Sequence, residues 1–480
     1  MIHELKPYQA YKDSGVSWLG DIPAHWSATR NKLILEERND RSEDGSEELL
    51  TVSQHTGVTR RREKFSSEGE LLTRATSLVG YKRVESGNLV MNIMLAWNGS
   101  LGVSPTEGIV SPAYCVFRIA NSLHPRFLHY LLRTGLFTGI FKTVSTGVVD
   151  SRLRLYPDKF LSLPSLLPPF SEQASIGRFL DYTCLRIQRY IRAKKKLIAL
   201  LNEKKQVNIN RAVTRGFDPT VRLKPSGVEW LGEVPEHWTV SRLKFEALEI
   251  VDCLHATPHY TDDGEHPAIR TADIEPGRVR IGTARRVNRE QYDLWTSRLA
   301  PKAGDILYSR EGERFGLAAL VPPGVSLCIS QRMMVFRIRP TQDSSFIMWQ
   351  LNSGHVYAQA AADVIGATSP HVNVERIKNF WIILPPLQEQ KLIADRVAAE
   401  CRALQLAIGR IESELELVHE YRTRLIADVV TGKLDVREAA ARLPEEVEDL
   451  EPLDEGEALA EEDDEGEDAE GEDSSEEAVA

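Results

Sequence analysis

Two stretches of this chain place hydrophobic residues at alternating steps of four and three. The first stretch contains Leu180, Cys184, Ile187, Ile191, Lys194, Ile198 and Leu201. The second contains Val397, Cys401, Leu404, Ile408, Ile411, Leu415 and Val418. The residues between these positions are largely charged, so the pattern predicts a sustained coiled-coil seam on two helices. Each helix should have about 40 residues and a length of roughly 60 Å.

Each predicted helix begins with the same short motif. Residues 167–173 read L-P-P-F-S-E-Q, and residues 384–390 read L-P-P-L-Q-E-Q. The prolines prevent the helix from extending backwards, and Ser171 or Gln388 can cap its first turn. The recurrence of the motif indicates a tandem duplication. Lys194 is the one charged residue in the first seam, and we expect it to fix the register or orientation of the helices.

A second repeat lies near the beginning of each duplicated unit. Residues 14–26 read S-G-V-S-W-L-G-D-I-P-A-H-W, and residues 226–238 read S-G-V-E-W-L-G-E-V-P-E-H-W. Two tryptophans, a glycine and a proline in fixed register indicate a segment that docks on a rigid surface through its aromatic rings. Simple packing of the tryptophans in a core is the alternative.

The stretches between these repeats share only short apolar fragments, such as residues 116–119 and 335–338, both V-F-R-I. Such fragments are typical of buried strands bounded by turns. The fold class is therefore predicted as α/β: two mixed domains with twisted sheets, related by duplication and joined by two long helices. A pseudo-two-fold axis would make those helices antiparallel.

The predicted segments follow from the repeats. They are a repeated segment at 1–25, a first domain at 26–165, a first long helix at 166–216, a second copy of the repeated segment at 217–237, a second domain at 238–383, a second long helix at 384–434, and an acidic tail at 435–480 that should be disordered.

Charge is distributed unevenly along the chain. The net charge is −11, but residues 444–480 carry 20 of the 70 acidic residues and no Lys or Arg. The rest of the chain is therefore basic, which permits nucleic-acid binding. Five cysteines without C-x-x-C spacing argue against a disulfide framework or a zinc site. No apolar run approaches the roughly 20 residues that cross a bilayer, so a cytoplasmic protein without membrane contact is expected.

The paired W-L-G-x-x-P-x-H-W segments, the paired L-P-P-x-x-E-Q helices and the divergent domains between them resemble the specificity subunit of type I restriction–modification systems. The resemblance covers residues 1 to about 435. It implies two target-recognition domains, each binding one half of a bipartite site in double-stranded DNA. It also implies that the coiled coil separates these domains and docks two methyltransferase subunits, with restriction-translocase subunits joining the complex.

The same resemblance implies no catalytic centre in this chain, and the residues agree. Adenine-N6 methyltransferases use Asn or Asp before Pro-Pro-Tyr or Pro-Pro-Phe, whereas Leu167 and Leu384 stand there. No G-x-G loop follows a strand. S-adenosylmethionine, ATP and magnesium are therefore expected on partner subunits of the restriction endonuclease and methyltransferase complex. His255 and His259 are interrupted by Pro258, which favours a loop beside the DNA over a metal site.

Base-reading residues should lie on loops, where Arg, Lys, Asn, Gln or His stand beside aromatic residues or glycine. The candidates in the first domain are Arg60, Arg61, Arg62, Lys64, Trp97, Asn98 and Arg152. Those in the second are Arg310, Arg314, Gln331, Arg332 and His371. Arginine would read guanine, and Asn98 or Gln331 would read adenine. For each residue taken singly, a surface salt bridge or a turn is the alternative.

Two other functions remain open from the sequence. One is a coiled-coil scaffold that carries two protein-binding modules, and the other is a regulator that binds two DNA sites without partners. A steep loss of affinity with salt would favour a DNA reader over a protein scaffold. The acidic tail either keeps the protein soluble or mimics DNA on the basic surface.

Overall fold

The computed structural model describes residues 5–61, 77–149, 152–312, 314–362 and 372–444. The chain divides into two compact units, of which the first comprises Met1–Arg192 and Leu415–Ala480 and the second Ala193–Glu414. Each long helix is thus shared between the units. Three predicted DNA-binding residues, Arg62, Lys64 and His371, lie outside the described residues.

The first unit is built on an antiparallel sheet with the strand order β4-β11-β8-β9. Its strands are β1 (Tyr11–Asp13), β2 (Asp21–Pro23), β3 (Ser27–Arg30), β4 (Leu35–Arg38), β5 (Leu50–Ser53), β6 (Gly57–Arg60), β7 (Lys82–Val84), β8 (Leu89–Asn92), β9 (Leu101–Val103), β10 (Gly108–Val110), β11 (Tyr114–Ile119) and β12 (Pro164–Leu167). Its helices are α1 (Pro125–Leu132), α2 (Gly135–Val144), α3 (Pro157–Ser162) and the first half of α4 (Phe170–Arg215).

The second unit has a sheet of the same kind, with the order β16-β24-β21-β22. Its strands are β13 (Leu223–Pro225), β14 (Glu233–Pro235), β15 (Thr239–Arg242), β16 (Ala247–Asp252), β17 (His266–Ile269), β18 (Ile274–Glu275), β19 (Arg278–Val279), β20 (Arg286–Val287), β21 (Ile306–Ser309), β22 (Ala318–Leu320), β23 (Cys328–Ile329), β24 (Met333–Ile338) and β25 (Trp381–Leu384). Its helices are α5 (Leu243–Glu246), α6 (Arg289–Trp295), α7 (Ser344–Leu351), α8 (Gly354–Ala361), α9 (Val374–Lys378) and most of α10 (Leu387–Val430), and a last helix, α11 (Arg437–Ala441), belongs to the first unit.

The apolar runs in the central strands are continuous because both faces of each sheet are covered. Successive side chains of a strand point to opposite faces. In β8, Leu89 and Met91 join the main core of the first unit, while Val90 joins a smaller core on the other face. In β21, Ile306 likewise joins the main core of the second unit, and Leu307 joins a second one.

The units share a frame and differ in what is inserted into it. In both, the strand after the repeated segment pairs with the strand that precedes the long helix, β3 with β12 and β15 with β25. The first unit adds the β5–β6 hairpin and the β7–β10 pair, whereas the second adds the β20-β17-β23 sheet and the β18–β19 hairpin. The predicted α/β class with duplicated mixed domains is confirmed.

The long helices run antiparallel where they pack within each unit. In the second unit, Lys194 Nζ lies 2.8 Å from Glu414 Oε2, and Asn208 Nδ2 donates to Glu400 Oε2 at 3.1 Å. The seam residues Leu180, Ile191, Val397, Ile408, Ile411 and Leu415 are buried, and Ile187, Ile198, Leu201, Leu404 and Val418 are half-buried. Cys184 and Cys401 are buried and unbridged, as an antiparallel pair requires.

The acidic tail begins later than the sequence analysis placed it. Helix α11 follows the long helix α10, and Val436, Ala440 and Leu443 are buried in the core of the first unit. The Asp435 amide also donates to the Lys6 carbonyl at 2.8 Å. The predicted boundary at 435 is therefore wrong by about nine residues, and the remainder of the tail, 445–480, lies outside the described residues.

In the part of the chain that the structure describes, no helix is both long and apolar enough to span a membrane. The same residues contain no group of three or more His, Cys, Asp or Glu placed to hold a metal ion.

Candidate nucleic-acid interface

The two repeated motifs meet in the first unit around the carboxylate of Glu172, which is 4% exposed. Trp26 donates from Nε1 to Glu172 Oε1 at 3.0 Å, and the Tyr8 hydroxyl donates to the same oxygen at 2.6 Å. His25 Nε2 lies 2.7 Å from the other oxygen. The glutamate of the L-P-P-x-x-E-Q motif therefore anchors the H-W pair of the repeated segment at the start of α4.

The second unit repeats this arrangement around Glu389. Trp238 Nε1 donates to Glu389 Oε1 at 3.2 Å, and His237 Nε2 lies 2.8 Å from Oε2. No tyrosine equivalent to Tyr8 contacts this carboxylate among the described residues, and its side chain is 34% exposed. The two carboxylate anchors, Glu172 and Glu389, thus make the same contacts to a tryptophan and a histidine but differ in burial.

Each buried tryptophan also packs on the glycine that ends the other long helix of its unit. A Cβ added to Gly432 would lie 3.1 Å from the Trp26 ring, and one added to Gly216 would lie 3.3 Å from the Trp238 ring. Both glycines have positive φ, which glycine tolerates best. Trp26 and Trp238 therefore each contact the start of one long helix and the end of the other. Each ring is buried in a core and is also docked on the helix frame, so the two alternatives from the sequence apply together.

The glutamine of the same motif links the helix start to the globular domain. In the first unit, Gln173 Oε1 accepts from the His124 amide at 2.7 Å, just before α1. In the second, Gln390 Oε1 accepts from the Asp343 amide at 2.8 Å, just before α7. The domain and the helix start are thereby held in a fixed relation in each unit.

The candidate loop of the first domain follows β8 and is tied to the turn of the β5–β6 hairpin. The Arg133 guanidinium donates to the carbonyls of Gln54 and Leu101, at 2.8 and 2.9 Å. Asn98 Nδ2 donates to the Gln54 side chain. The half-buried Trp97 donates to the Met94 carbonyl at 2.9 Å and has the Lys142 ammonium 5.2 Å from its ring centroid. Trp97 and Asn98 therefore stand on one fixed platform.

The other candidates of the first domain are placed differently. Arg60 lies at the end of the hairpin remote from Gln54 and pairs with Glu48 at 3.2 Å. Arg61 follows it and is exposed. Arg152 is exposed in a turn that is held beside the loop after β8, because the Leu155 amide donates to the Ile93 carbonyl at 2.9 Å.

In the second domain, Arg310 is not placed as expected for a base reader. Its side chain is 9% exposed, its Nε lies 3.3 Å from Asp252 Oδ1, and its Nη2 bonds to Glu311. A guanidinium buried between two carboxylates organises its surroundings instead of reaching a groove. This arrangement corrects the expectation that Arg310 contacts bases.

The remaining described candidates of the second domain, Gln331, Arg332 and Arg314, lie in turns. Gln331 and Arg332 form the turn between β23 and β24, and both are exposed. Arg332 is the one non-glycine residue with positive φ, 71°, in the described ranges, and its carbonyl accepts from the Arg310 amide at 3.0 Å. Arg314 is exposed, with its Nη2 donating to the Ile274 carbonyl at 2.9 Å.

The sequence analysis missed a basic and aromatic concavity beside this turn. It has a volume of about 350 Å³ and includes Tyr260, Arg285 and Arg286 in its lining. The Arg285 guanidinium lies 5.1 Å from the Tyr260 ring centroid, and the Tyr260 hydroxyl is 3.3 Å from Ser330 Oγ, next to Gln331. The R-R pair near a tyrosine was visible in the sequence, but 24 intervening residues concealed their proximity.

Two half-buried histidines are neutral at neutral pH. Burial lowers the pKa of His129 well below its usual value, and its Nδ1 accepts from the Val103 amide at 3.3 Å. Burial also lowers the pKa of His355 to about 4. His255, which had been considered for a metal, lies 3.2 Å from Asp252 Oδ2 and belongs to the ion-pair cluster around Arg310.

Comparison with known proteins connects this geometry to a family. Residues 253–416 match the family model of the type I restriction modification DNA specificity domain. The specificity subunit of the type I restriction enzyme MjaVIII of Methanocaldococcus jannaschii is 22% identical over 378 residues, covering 74% of this chain and 83% of that protein. The EcoKI specificity subunit of Escherichia coli is 21% identical over 332 residues, covering 67% and 68%.

A solved structure extends the similarity to the fold. A chain from a study of complex assembly and conformational transition of the type I R-M system is 16% identical to this one. It superposes with a TM-score of 0.62 and covers 86% of this chain and 99% of its own length. The similarity therefore includes both units.

Proposed function

The chain belongs to the family of type I restriction–modification specificity subunits, and from that membership we propose that it directs such a complex to an asymmetric bipartite DNA site. One unit would bind each half-site. The observation that carries this proposal is the duplicated frame with different loops: the platform of Trp97 and Asn98 follows β8, whereas the Arg310 and Glu311 loop follows the equivalent strand β21. Because these equivalent loops differ in sequence and in the turns packed against them, the two units would present different side chains to the bases.

The loop chemistry supports base recognition as well as attraction to phosphates. In the first unit, Asn98 is exposed beside Trp97, and an amide side chain can pair with adenine through two hydrogen bonds. In the second unit, Arg332 and Gln331 are exposed at one turn, beside the basic concavity at Tyr260. Arginines in the concavity would contact phosphates and set the position of the unit on the duplex.

We also propose that the chain is not catalytic by itself and that methylation and cleavage occur on its partners. Leu167 ends β12 and Leu384 ends β25, so each L-P-P motif forms the joint between a strand and a long helix. Neither leucine can accept a hydrogen bond from an adenine amino group. S-adenosylmethionine, ATP and magnesium would accordingly bind to methyltransferase and restriction subunits.

Besides the buried seam, the long helices carry exposed apolar residues, and these support the docking of a partner protein. Leu197, Leu200 and Val207 on α4 are 41%, 51% and 56% exposed, and their spacing of three and seven places them on one face. At 100° per residue that face lies about a third of a turn from the seam. Leu392 and Leu406 on α10 are 71% and 61% exposed. Exposed apolar residues in register along a helix are typical of a protein interface.

The docking proposal can be tested by placing negative charges on the exposed apolar face of α4. The double variant Leu197→Glu and Leu200→Glu should lose a methyltransferase subunit in co-purification and retain its own helix content. Ala199→Glu is the matched control, because it places the same charge at an exposed position on another face of α4. Equal loss of the partner in both variants would refute docking on the exposed apolar face.

The DNA-recognition proposal is tested by co-expressing the chain with a candidate methyltransferase subunit from its host and mapping methylated adenines across a genome. A single two-part asymmetric motif is expected. Binding of the purified complex to that motif should weaken steeply with salt, since each neutralised phosphate releases counterions. A stable complex that neither methylates nor binds DNA would favour the scaffold with two protein-binding modules instead.

A further inference from the structure

We propose that Arg332 reads a guanine in the half-site bound by the second unit and that Glu311 holds the arginine fork in position to do so. This inference rests on the proposed function. It assigns the base and the residue, which family membership does not supply.

The backbone of Arg332 is held in a conformation that a residue with a Cβ rarely adopts. Its φ of 71° lies in the left-handed region, where an arginine is disfavoured relative to glycine. The turn is fixed from three sides: the Arg332 carbonyl accepts from the Arg310 amide at 3.0 Å, the Ser330 amide donates to Ile269, and Cys253 donates to the Met333 carbonyl. Strain that the surroundings maintain in this way is concentrated at functional sites.

The side chain of Arg332 lies beside the Glu311 carboxylate, which is itself held by the buried Arg310 guanidinium. Glu311 bonds to the buried Arg310 guanidinium, and its Oε2 lies 4.0 Å from Arg332 Nε. Arg332 Nη1 lies over the backbone at Gly312, 3.7 Å from where a Cβ would stand. The Arg332 side chain is nevertheless 46% exposed. The Arg332 guanidinium therefore lies beside Glu311 and Gly312, and almost half of the side chain is open to solvent.

This environment fits a base edge better than a phosphate. A phosphate at Arg332 would stand close to the Glu311 carboxylate and be repelled by it. A guanine presents two acceptors, O6 and N7, that match two N–H groups of the fork, and its cytosine partner presents an amino group that a carboxylate can accept from. Arg332 and Glu311 together therefore match one G·C pair in the major groove.

The test uses the co-expressed complex and compares the motifs selected from random DNA and methylated in cells. With the wild-type chain, one position of one half-site should be guanine, with a preference of roughly 5- to 150-fold. Arg332→Ala should remove that preference and leave the other half-site unchanged. Arg332→Lys should keep most of the affinity and lose most of the preference, because lysine lacks the planar fork.

Two further variants separate recognition from folding. Arg332→Gly relieves the left-handed backbone, so its melting temperature should equal or exceed that of the wild type while the guanine preference is lost. Arg289→Ala is the matched control, an arginine of the same unit that is 69% exposed and pairs with Asp293 at 3.0 Å. It should leave the motif unchanged.

The outcomes distinguish this inference from the function on which it rests. An unchanged motif in Arg332→Ala, or a uniform loss of affinity across all sequences as for a phosphate contact, would overturn the guanine assignment alone. A wild-type complex that yields no two-part motif would overturn the proposed function and the assignment with it.

Discussion

The paired carboxylate anchors predict that the same substitution destabilises the two units unequally. We consider Glu172→Gln and Glu389→Gln, which keep the side-chain shape and remove the charge. Glu172 is 4% exposed and is contacted by Tyr8, His25 and Trp26. Glu389 is 34% exposed and is contacted by His237 and Trp238 only, within the described residues.

The expected magnitude follows from counting the bonds that lose their charged acceptor. A hydrogen bond to a charged group contributes about 1 kcal/mol more than a neutral one. Each anchor has a histidine on its second oxygen, so the histidine contact is common to both and the difference comes from the bonds to the first oxygen. In Glu172→Gln, the amide oxygen can remain on Trp26 and Tyr8, so two bonds to that oxygen weaken and the loss from them should be about 2 kcal/mol. In Glu389→Gln, one longer tryptophan bond weakens at a site open to water, so the loss should be about 1 kcal/mol or less.

Thermal unfolding of the whole chain, followed by calorimetry, measures both effects. A loss of about 2 kcal/mol should lower the melting temperature of the first unit by roughly 4–8 °C, and the second unit should fall by at most half as much. Glu438→Gln, which removes a carboxylate that is 82% exposed, is the control and should change little. Equal shifts for the two anchors, or a larger one for Glu389→Gln, would refute the reasoning from burial and donor count.

Three other predictions concern the same frame and its surroundings. Gly432→Ala should lower the free energy of unfolding by roughly 3 kcal/mol or more, because the new Cβ would stand 2.5 Å from Pro23. Gly216→Ala should lower it by only about 1–2 kcal/mol, because its nearest contact is at 3.3 Å. Urea unfolding of both variants measures the difference. Lowering the pH from 7 to 5 should destabilise the second unit by about 2 kcal/mol, and His355→Asn should abolish that loss. The sign follows because the folded pKa of about 4 is below the unfolded value near 6.5, so the stability is complete above 6.5 and is lost as the pH falls towards 4. Deletion of residues 445–480, which removes the 20 acidic residues of the tail, should tighten nonspecific DNA binding at low salt in a filter-binding assay, and unchanged binding would exclude the DNA-mimic hypothesis.

The frame was accessible from the sequence because its signals are local or repeated. The seam on α4 and α10 follows from helical periodicity alone, and the L-P-P motif marks each helix start because proline stops extension backwards. The same periodicity could have located α11, since Val436, Ala440 and Leu443 stand at steps of four and three. The density of acidic residues further along concealed that pattern.

The candidate site was less accessible because its contacts join distant residues. Arg310 is buried by Asp252, 58 residues away in sequence, and only the β16-β24-β21 strand order brings them together. The left-handed backbone of Arg332 has no composition signature, since glycine or asparagine is the usual residue there. The clusters of polar residues were located by type, but their orientation depends on tertiary contacts that no local pattern encodes.

The geometry explains how such a chain can keep its frame while its recognition loops diverge. Among the described residues, each anchor joins a tryptophan of the repeated segment to the start of one long helix and the end of the other: Trp26 contacts Glu172 and Gly432, and Trp238 contacts Glu389 and Gly216. None of these contacts involves the hairpins and small sheets that differ between the units. A substitution in the loop after β8 or β21 therefore leaves the anchors intact, because the contacts that hold these loops are made within each domain. Under the proposed function, the loops of one unit can therefore change without those of the other, because each unit has its own anchor and its own core.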